Sequence, residues 1–581
     1  YSDDQRWDTM CLELNAAGYV GPCEHADGPP MPFMRSLLTQ SVVFTNSFVS
    51  YPLCCPSRVS LLKGGLYAHH TGIMGNSPPH GGALRFSEVD TPTIATRLQQ
   101  VTPTAYATAM IGGKYLNHYA EQQVDFNQGT AYVPPGWDYF AVTADIRYGP
   151  QYTDSFGVVV AEAGVVEQVE YLTNTRLFDW ELTHLNAFLD TVCDDCNGTP
   201  SQPFFLLYST YAPHISARFK ISGTTYANLY AGYHYTGRAW NEADPSDGET
   251  ASDKPFNVTE EAEAFEDDED LRLEIQGYAR SQLQMLQALD DNLETFIGTL
   301  ETKGLLENTI ILFASDNGML WGEHGLAHKN RAYEEALRVP LFTYNPVDEW
   351  AHEVITEVVA VDLDLAPTIL DLAGAVPLPS DGRSLVELVG DVGGPWRSEF
   401  LIQGNYDLYV ATAKHPQAWV GLRTQNCKVV WTITGERELY PYTDTLSTWE
   451  RRNLADQPEL CGFSESELDQ TLTEFAPPMA ITTYGLPHSY INLVEKGYLN
   501  QTYDPDGFVF TAWKGEPPYE WRLYDGQPAC LAGLPDGMYI SGNTLAGTPS
   551  ESGLFTFCVE VTDEAGAHDW RMFRIGILPA P

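Results

Sequence analysis

A thiol, a hydroxyl and a guanidinium occur close together in the stretch that contains Cys54, Ser57 and Arg58. The stretch follows the apolar, β-branched run 42–44, so we expect it where a strand ends and a helix begins. Ser57 is of a residue type that caps helices, and the free N–H groups of a first helical turn bind anions, which Arg58 would reinforce. These residues therefore indicate a site that handles an oxyanion.

The pattern Cys-x-Pro-Ser-Arg, followed by an apolar helix with Gly, resembles the signature of the type I sulfatases. The resemblance implies that Cys54 is oxidised to formylglycine by a formylglycine-generating enzyme, and that the hydrated aldehyde is the nucleophile. Residues 62–64 read Leu-Lys-Gly where the family usually has Leu-Thr-Gly, so we expect that enzyme to recognise the motif less efficiently. The alternative for Cys54 and Cys55 is a disulfide or a place in the core, as is common for a Cys-Cys pair.

Two pairs of oxygen-bearing side chains, Asp3-Asp4 and Asp316-Asn317, each come at the expected end of a strand. At such an irregular edge, neighbouring carboxylates can turn toward one hard cation, and Asn adds a ligand without adding negative charge. In the family that the chain resembles, the matching residues bind calcium. Asp3, Asp4, Asp316 and Asn317 are therefore the predicted Ca²⁺ ligands. Taken alone, both pairs are typical of solvated turns.

Three further residues match positions at which the family handles sulfate, and a fourth is a candidate for such a position. Lys114 and Lys329 match lysines that bind sulfate, and His214, in a Pro-His pair after a predicted buried strand, matches a histidine near the leaving oxygen. The family usually has a histidine two residues after the first lysine. Leu116 stands there in this chain, and His118 is the candidate replacement. The Gly-Lys-Tyr-Leu-Asn form and the double Cys resemble the N-acetylglucosamine-6-sulfatase/arylsulfatase branch.

These residue types predict a mechanism for hydrolysis of a sulfate ester. The charged oxygens of a sulfate monoester repel a nucleophile, so the site must neutralise them first. Calcium, with Lys114, Lys329 and Arg58, is predicted to do this. The leaving alcohol is predicted to take its proton from Lys329 or His214. His118 is the predicted base for the later release of sulfate from formylglycine.

The chain of 581 residues exceeds what one compact core usually holds. The resemblance implies an alkaline phosphatase-like α/β domain at 1–395, with a large, mostly parallel central sheet flanked by helices, and a small antiparallel subdomain at 396–480. A linker is predicted at 481–499. Short alternating strands between turn residues predict an all-β, Ig-like sandwich at 500–581, whose expected role is to brace the enzyme rather than to bind polysaccharide.

The charge of the chain excludes several classes of partner. Lys and Arg number 32 against 78 Asp and Glu, which gives a formal net charge of -46. This charge argues against nucleic acid and anionic membranes as partners, and no apolar run reaches the roughly 18 residues of a membrane span. The acidic run at 260–270 is predicted to be a surface insertion. The chain opens where the family has just completed its first strand, so we expect the natural start and signal to be missing.

The cysteines and glycosylation sequons predict an oxidising, secretory route. Eight of the ten cysteines fall into four pairs of neighbours in sequence that suggest disulfides, although sequence alone leaves the connectivity open. These neighbours are Cys11 with Cys23, Cys193 with Cys196, Cys427 with Cys461, and Cys530 with Cys558. The Cys193 and Cys196 spacing has a zinc or redox pair as its alternative. Sequons begin at Asn197, Asn257 and Asn500, so we expect a secreted glycoprotein, with a lysosomal or periplasmic location as alternatives.

Three functions remain open at this stage. The first is a sulfatase acting on a sulfated carbohydrate. The second is a phosphodiesterase or phosphonate monoester hydrolase of the alkaline phosphatase superfamily, for which a transition metal would replace calcium. The third is a non-catalytic carbohydrate-binding protein with an unconverted Cys54. Loops 145–159 and 226–253 are expected to select the sugar, and their aromatic residues suggest stacking on it; these are Tyr226, Tyr230, Tyr233, Tyr235 and Trp240.

Overall fold

The computed structural model describes two compact units. The first comprises 1–406, 419–432 and 436–462, and the second 407–418, 433–435 and 463–581. The residues that the structure describes are 1–11, 27–77, 81–146, 155–173, 176–193, 196, 198–214, 226, 228–235, 254–255, 258, 268–347, 350, 353–389, 395–404, 418–432, 436–442, 450–464, 466, 468, 480–481, 495–498, 508–509, 512–513, 518–523, 534–550, 553–564, 566 and 568–578.

Two β-sheets form the centre of the first unit. Sheet A has five strands, in spatial order Val165–Thr173, Ser155–Glu162, Tyr139–Ile146, Ala107–Gly112 and Phe204–Tyr208. Sheet B has four strands, in spatial order Ile311–Ala314, Leu341–Tyr344, Ser41–Phe44 and Glu353–Ile355. Most of these strands are apolar throughout rather than alternating, which is typical of strands covered on both faces.

The opening residues of the chain join the two sheets by backbone hydrogen bonds. Ser2 N–H donates to the carbonyl of Ala314 at 2.9 Å, at the edge of sheet B. On the other side, Tyr1 N donates to the carbonyl of Tyr208 at 2.8 Å, at the edge of sheet A. Ser2 also forms an isolated parallel bridge with Ser315. Asp3 is thereby delivered to the edge where the strands of both sheets end.

The expectation of a mostly parallel sheet is wrong, because sheets A and B are both mixed. Ala107–Gly112 runs parallel to both of its neighbours. Ser155–Glu162 and Val165–Thr173 are joined by a two-residue turn with positive φ at both positions, and such a turn permits only antiparallel pairing. In sheet B, Leu341–Tyr344 runs antiparallel to both neighbours.

Helices cover the sheets and bury the core. The α-helices are Pro32–Leu37, Cys54–Leu62, Ala68–Thr71, Gly82–Phe86, Ile94–Leu98, Tyr119–Gln123, Leu177–Val192, Glu269–Thr302, Glu334–Leu337, Val361–Leu372 and Leu385–Val389. Leu177–Val192 and the long helix Glu269–Thr302 pack their apolar faces into one core with sheet A. Within the described residues, no helix is long and apolar enough to cross a membrane.

A third sheet, sheet C, completes the first unit. Its strands are Glu399–Gly404, Trp419–Thr424, Cys427–Thr432 and Arg437–Pro441, and every neighbouring pair is antiparallel. The antiparallel character agrees with the small subdomain expected from the sequence. The core of sheet C includes Phe400 and Trp419 and is shared with Phe48, which lies shortly before Cys54. Sheet C therefore packs directly beside the loop that leads to Cys54.

β-strands make up most of what the structure describes of the second unit. One sheet has the order Glu495–Tyr498, His568–Leu578, Gly553–Thr562 and Glu520–Leu523, and a second has the order Phe508–Val509, Thr544–Gly547 and Met538–Ser541. Ala480–Ile481 pairs with Ala512–Trp513. Phe557, Val559 and Val561 alternate along one strand and form the centre of a small core, as a sandwich requires. The Ig-like assignment itself stays a prediction.

Two of the predicted disulfides are confirmed. Cys193 is bonded to Cys196 and Cys427 to Cys461, which removes the zinc alternative for the first pair. Cys54 and Cys55 are free thiols. Cys11 is disulfide-bonded. Several sequence predictions fall outside the described residues, namely those on Cys23, Asn197, Trp240, Asn257, Asn500 and Cys530, together with most of the acidic run 260–270.

Candidate active site

The two predicted pairs of oxygen ligands meet at the junction of sheets A and B. Asp3 N–H donates to the carbonyl of Ala212 at 3.0 Å, and Asp316 N–H donates to the carbonyl of Ser2 at 3.2 Å. Asp4 has a left-handed backbone (φ 68°), which turns the chain at this edge. Both pairs are fully buried. The two pairs therefore share one site because the opening residues run alongside the end of the strand Ile311–Ala314.

The oxygens of this cluster fit a hard cation. Asp4 N–H donates to Asp316 Oδ1 at 3.1 Å, and Asn317 Nδ2 donates to Asp4 Oδ1 at 2.8 Å. Asn317 Oδ1 is buried and accepts no hydrogen bond from any residue that the structure describes. A buried amide oxygen without a donor is costly unless a ligand satisfies it. Buried carboxylates beside a free amide oxygen are the donor set that calcium prefers.

Cys54 lies at the start of the helix Cys54–Leu62, among charged side chains. Lys329 Nζ is 2.6 Å from its Sγ, and Asp3 Oδ1 is 3.5 Å from the same atom. Burial raises the pKa of the Cys54 thiol to about 12, although Lys114 and Lys329 lower it. An unmodified Cys54 is thus held as a neutral thiol at physiological pH, and a neutral thiol is a poor nucleophile.

The prediction that Ser57 caps this helix is wrong. The helix begins three residues earlier, with Leu53 as its N-terminal flanking residue in an extended conformation. Ser57 is inside the helix, where its N–H donates to the carbonyl of Leu53 at 3.1 Å. The N–H of Cys55, in the first turn of the helix, instead donates to Asn76 Oδ1 at 2.9 Å. Asn76 supplies the capping interaction from a later loop, which a local reading of the motif could not identify.

Arg58 binds the acidic cluster and the loop that carries Lys114. Its Nε donates to Asp316 Oδ2 at 2.7 Å, and its NH1 group donates to Ser209 Oγ at 2.5 Å and to the carbonyl of Lys114 at 3.3 Å. Burial disfavours the charged guanidinium, but Asp316 and Asp3 outweigh burial and raise the pKa of Arg58 further. Ser209, which the sequence did not single out, connects two loops of the site through this arginine.

Lys114 reaches the same cluster from the end of a strand in sheet A. Its Nζ is 2.6 Å from Asp3 Oδ2 and 5.5 Å from the ring centre of Tyr211. A Cβ at Gly113 would come within 2.6 Å of Tyr211, so only glycine lets this loop pack so closely. Burial opposes the ionisation of Asp3, but Lys114 and His214 outweigh it and keep the pKa of Asp3 below its usual value.

Lys329 and His214 approach the cluster from two other loops. Lys329 Nζ forms a close ion pair with Asp4 Oδ1, and His214 Nε2 is 3.7 Å from Asp4 Oδ2. The His214 side chain is 23% exposed, so it lies toward the open side of the site. Burial lowers the pKa of His214 more than Asp4 and Asp3 raise it. Burial also opposes the charge on Lys329, but Asp4 outweighs it, so the pKa of Lys329 is raised.

His118 lies against a different loop from the other predicted residues. It precedes the helix Tyr119–Gln123 with a left-handed backbone (φ 60°), and its Nε2 is 2.7 Å from Ser77 Oγ. Ser77 follows Asn76, the residue that caps the helix of Cys54. The structure therefore links His118 to the capping loop, and a role as the base for release of sulfate stays a prediction.

Three of the four tyrosines suggested to stack on a sugar are core residues, whereas Tyr226 is partly buried and donates to Asp291. Tyr230, Tyr233 and Tyr235 are buried in one cluster with Trp321 and the helix Glu269–Thr302. The rings of Tyr233 and Tyr235 meet each other and Trp321 at distances of 5.2 to 6.5 Å between centres. The suggestion that the three buried tyrosines stack on a sugar is thus wrong. Their spacing along a loop did not reveal that the loop folds onto a helix.

Comparison with known proteins was made for sequence and for fold. A family model described as Sulfatase matches residues 1–375, and one described as N-sulphoglucosamine sulphohydrolase, C-terminal, matches 322–476. N-acetylglucosamine-6-sulfatase from Bos taurus is 27% identical over 64% of this chain and 62% of its own. The extracellular sulfatase SULF-1 homolog from Drosophila melanogaster is 28% identical over 64% of this chain and 31% of its own. The match thus spans less than two thirds of either relative.

N-acetylglucosamine-6-O-sulfatase from Bacteroides thetaiotaomicron is 26% identical over 76% of this chain and 81% of its own. Among solved structures, a protein in complex with its substrate D-glucosamine-2-N,6-O-disulfate aligns with a TM-score of 0.55 and 23% identity, covering 82% of this chain and 96% of its own. Phosphonate monoester hydrolase from Silicibacter pomeroyi aligns with a TM-score of 0.57 and 19% identity, covering 81% and 92%. At these identities the structural likeness establishes the fold alone.

Proposed function

The chain belongs to the sulfatase family, and from that premise we propose that it is a sulfuric ester hydrolase that removes sulfate from a sulfated carbohydrate. The observation that carries the proposal is the setting of Cys54. Its sulfur contacts the ammonium of Lys329 and the carboxylate of Asp3, and Asp4 in the same cluster binds Asn317, whose amide oxygen lacks a donor among the described residues. Relatives named N-acetylglucosamine-6-sulfatase make glucosamine sulfates the first substrates to test.

Two groups complete the proposed site. Formylglycine derived from Cys54 would supply a geminal diol as the nucleophile, and Ca²⁺ would neutralise the non-bridging oxygens of the sulfate. The cation would be held by Asp3, Asp4, Asp316 and Asn317. The buried, inert thiol of Cys54 fits a residue that is modified before it reacts. A formylglycine-generating enzyme is the partner that this maturation requires.

The basic residues of the chain bind and orient the ester. Lys114 and Lys329 flank residue 54 and carry fixed positive charge, because the carboxylates beside them hold their protons in place. Arg58 donates hydrogen bonds to Asp316 and Ser209. It therefore orients the acidic cluster, and it would stabilise the charge of the ester indirectly, through Asp316. Fixed charges of this kind stabilise the transition state without reorganisation.

The leaving alcohol needs a proton, for which the chain offers two donors. Lys329 is closest to residue 54, whereas His214 lies at the open side, where the carbohydrate would enter. Either residue can protonate the leaving oxygen. Replacing the residue that does so should slow hydrolysis most for esters with poor leaving groups, which need the proton most. His118 remains the proposed base for the second stage, in which the geminal diol releases sulfate.

Peptide mass spectrometry across 52–58, on protein from its native source, tests the proposal directly. Conversion of Cys54 replaces its thiol by an aldehyde and changes the mass of this peptide. Turnover would then be measured on 6-O-sulfated and N-sulfated glucosamine and on other sulfated glycans. Cys55→Ala is the matched control for Cys54→Ala, because Cys55 is also buried and its sulfur accepts the N–H of Gly82, a residue outside the acidic cluster. An intact thiol in active protein would contradict the proposal.

A second candidate is a phosphodiesterase or phosphonate monoester hydrolase. The fold it shares with the Silicibacter pomeroyi hydrolase supports this alternative. Metal content separates the two, since a transition metal rather than calcium is expected for a phosphorus ester. Protein with unmodified Cys54, no turnover and retained glycan binding would instead support a non-catalytic carbohydrate-binding role, for which the second unit is the natural candidate.

We propose a secreted or extracellular location. Disulfides form and persist in oxidising compartments, and the chain has the pairs Cys193–Cys196 and Cys427–Cys461. A relative is named as an extracellular sulfatase. A lysosomal or periplasmic location satisfies the same chemistry, and cell fractionation with an antibody against the chain would separate these locations.

A further inference from the structure

The backbone around Lys329 is held in an uncommon conformation on both sides. His328 and Asn330 both have left-handed backbones, with φ of 72° and 64°. Residues other than glycine rarely adopt this conformation, because the Cβ atom meets the neighbouring carbonyl. Two such residues beside one lysine persist only where surrounding contacts fix them. The contacts of Asn330 therefore decide where Lys329 points.

Asn330 connects the loop of Lys329 to the loop of Cys54. Its N–H donates to the carbonyl of Pro52 at 2.9 Å, two residues before Cys54. Its own carbonyl accepts the indole N–H of Trp419 at 3.4 Å. Trp419 is the first residue of a strand in sheet C and is 5% exposed. Trp419 of sheet C is thus connected through Asn330 to the loop that leads to Cys54.

The position of the Trp419 ring is fixed by sheet C itself. Gly404 lies directly opposite Trp419 in the register of the sheet. A Cβ at Gly404 would come within 2.4 Å of Cζ2 of the indole, so the ring occupies the space that a side chain would fill. The ring also belongs to the core that contains Ala332 and Leu337, which follow Lys329 in sequence.

Sheet C holds the same loop at a second place. Lys428 Nζ donates to the carbonyl of Ala332 in a short hydrogen bond, and it forms an ion pair with Glu450. Glu450 Oε2 in turn accepts the N–H of Glu334 at 2.9 Å. Lys428 and Glu450 are both buried, so water does not compete for these contacts. Lys428 of sheet C thus holds the residues after Lys329 in two ways. It binds Ala332 directly, and it binds Glu334 through Glu450.

We propose that Trp419 is a positioning residue that fixes Lys329 against the loop of Cys54, so that sheet C completes the reactive site although it contributes no group that touches the ester. The part of this inference that concerns catalysis rests on the proposed function. The part that concerns the loop does not, because it follows from the contacts of Asn330. The indole N–H of Trp419 is the group responsible, since the ring body serves the core.

Trp419→Phe tests the inference because it keeps an aromatic ring and removes the N–H donor. Trp396→Phe is the matched control, since the indole of Trp396 donates to the carbonyl of Val358 at 2.7 Å, a residue outside the stretch 327–334. Gly404→Ala displaces the same ring from the other side and provides an independent variant. Hydrogen–deuterium exchange is measured on peptides that cover 327–334, and kcat and KM are measured on a sulfate ester.

We expect faster exchange in 327–334 for Trp419→Phe and Gly404→Ala, and parental exchange there for Trp396→Phe. We also expect Trp419→Phe to lower kcat/KM roughly twofold to tenfold, as the loss of one positioning hydrogen bond predicts. Unchanged exchange in 327–334 for Trp419→Phe would overturn the inference, whether or not the chain hydrolyses sulfate esters.

A double-mutant cycle separates positioning from general stability. The dissociation constant for inorganic sulfate is obtained from the sulfate dependence of Tm, which needs no turnover. Trp419→Phe should weaken sulfate binding in the parent and have no further effect in Lys329→Met, because Lys329 is the group through which it acts. Equal weakening in both backgrounds would overturn the inference. A parent that neither binds sulfate nor cleaves any sulfate ester would refute the proposed function, while the exchange measurement still decides the role of Trp419.

Discussion

Replacing Asp362 by Asn should stabilise the folded chain at pH values above neutrality and leave its stability unchanged in acid. Asp362 is fully buried, and its two carboxylate oxygens accept Ser50 N–H at 2.8 Å and Ser50 Oγ–H at 2.7 Å. Burial raises the pKa of Asp362 from 3.8 to about 7, more than the two bonds from Ser50 lower it. The folded chain therefore prefers a neutral group here, and an amide has the same shape as a neutral carboxyl group.

The size of the effect follows from proton linkage. Because the pKa of Asp362 is higher in the folded than in the unfolded chain, its contribution to stability is full below about pH 4 and is lost as the pH rises to about 7. A difference of about three pKa units corresponds to at most roughly 4 kcal/mol, at about 1.36 kcal/mol per unit. Relaxation around the buried carboxylate reduces this value, so we expect a gain of about 2 kcal/mol for Asp362→Asn at about pH 8 and none at about pH 4.

The assay is urea unfolding of the parent and the variant at several pH values between about 4 and 8.5, at fixed calcium concentration. Asp364→Asn is the matched control, two residues further along the same helix. The carboxylate of Asp364 accepts hydrogen bonds from Ala360 N–H, from Arg383 N–H and from the guanidinium of Arg397. Burial raises the pKa of Asp364 as well, but an amide there would turn its own donor toward one of these groups, so this variant should lose stability at about pH 8, where Asp362→Asn gains it. A gap between Asp362→Asn and the parent that does not change with pH would refute the reasoning.

Three other predictions concern the reactive site. Removing calcium with a chelator should lower Tm, adding it back should restore Tm, and Asn317→Leu should abolish this response, as differential scanning fluorimetry would show. Cys54→Ala should lower kcat at least about a thousandfold, whereas Cys55→Ala should stay within about tenfold of the parent; comparable losses would mean that position 54 has no special role. His214→Ala should lower kcat more for an alkyl sulfate than for a nitrophenyl sulfate, and an equal loss would assign the proton to Lys329 instead.

Half of the acidic cluster could be predicted from the sequence because Asp316 and Asn317 follow the end of a strand. Apolar runs before Asp316 mark a buried strand, and neighbouring strand ends must meet at a sheet edge. The sulfatase motifs then supplied the pairing with Asp3, which lies over 300 positions away. The same reasoning placed Lys114 and His214 at that edge, and the structure brings both to the cluster. Strand ends are a strong constraint because a few residues of backbone fix where they lie.

Interactions between distant loops could not be predicted in this way. Nothing in the sequence near Asn76 indicates that it caps the helix of Cys54, and the motif itself favoured Ser57. The burial of Tyr233 depends on a helix about 40 residues further along. The contact of Trp419 with Asn330 depends on where sheet C packs, which apolar alternation alone leaves free. Local patterns determine elements, whereas these contacts depend on how the elements pack.

The charge balance of the site explains how a chain with a net charge of -46 can accept an anion. Three buried carboxylates pair with three basic groups; the pairs are Asp3 with Lys114, Asp4 with Lys329, and Asp316 with Arg58. This cluster is neutral by itself, and a divalent cation at Asn317 would give it two positive charges, while salt screens the distant acidic surface beyond about 8–10 Å.

An ester with one negative charge leaves part of this charge unmatched in the ground state, and a deprotonated nucleophile would add the second negative charge in the transition state. A phosphate monoester has two negative charges before reaction, so the site would bind its ground state as well as its transition state and gain little in rate. The arrangement of residues therefore favours esters that carry a single charge, which include sulfate monoesters, phosphonate monoesters and phosphodiesters, and it disfavours phosphate monoesters. Competition between sulfate monoesters and phosphate monoesters of the same sugar is consequently the comparison in which charge alone, rather than shape, decides the substrate.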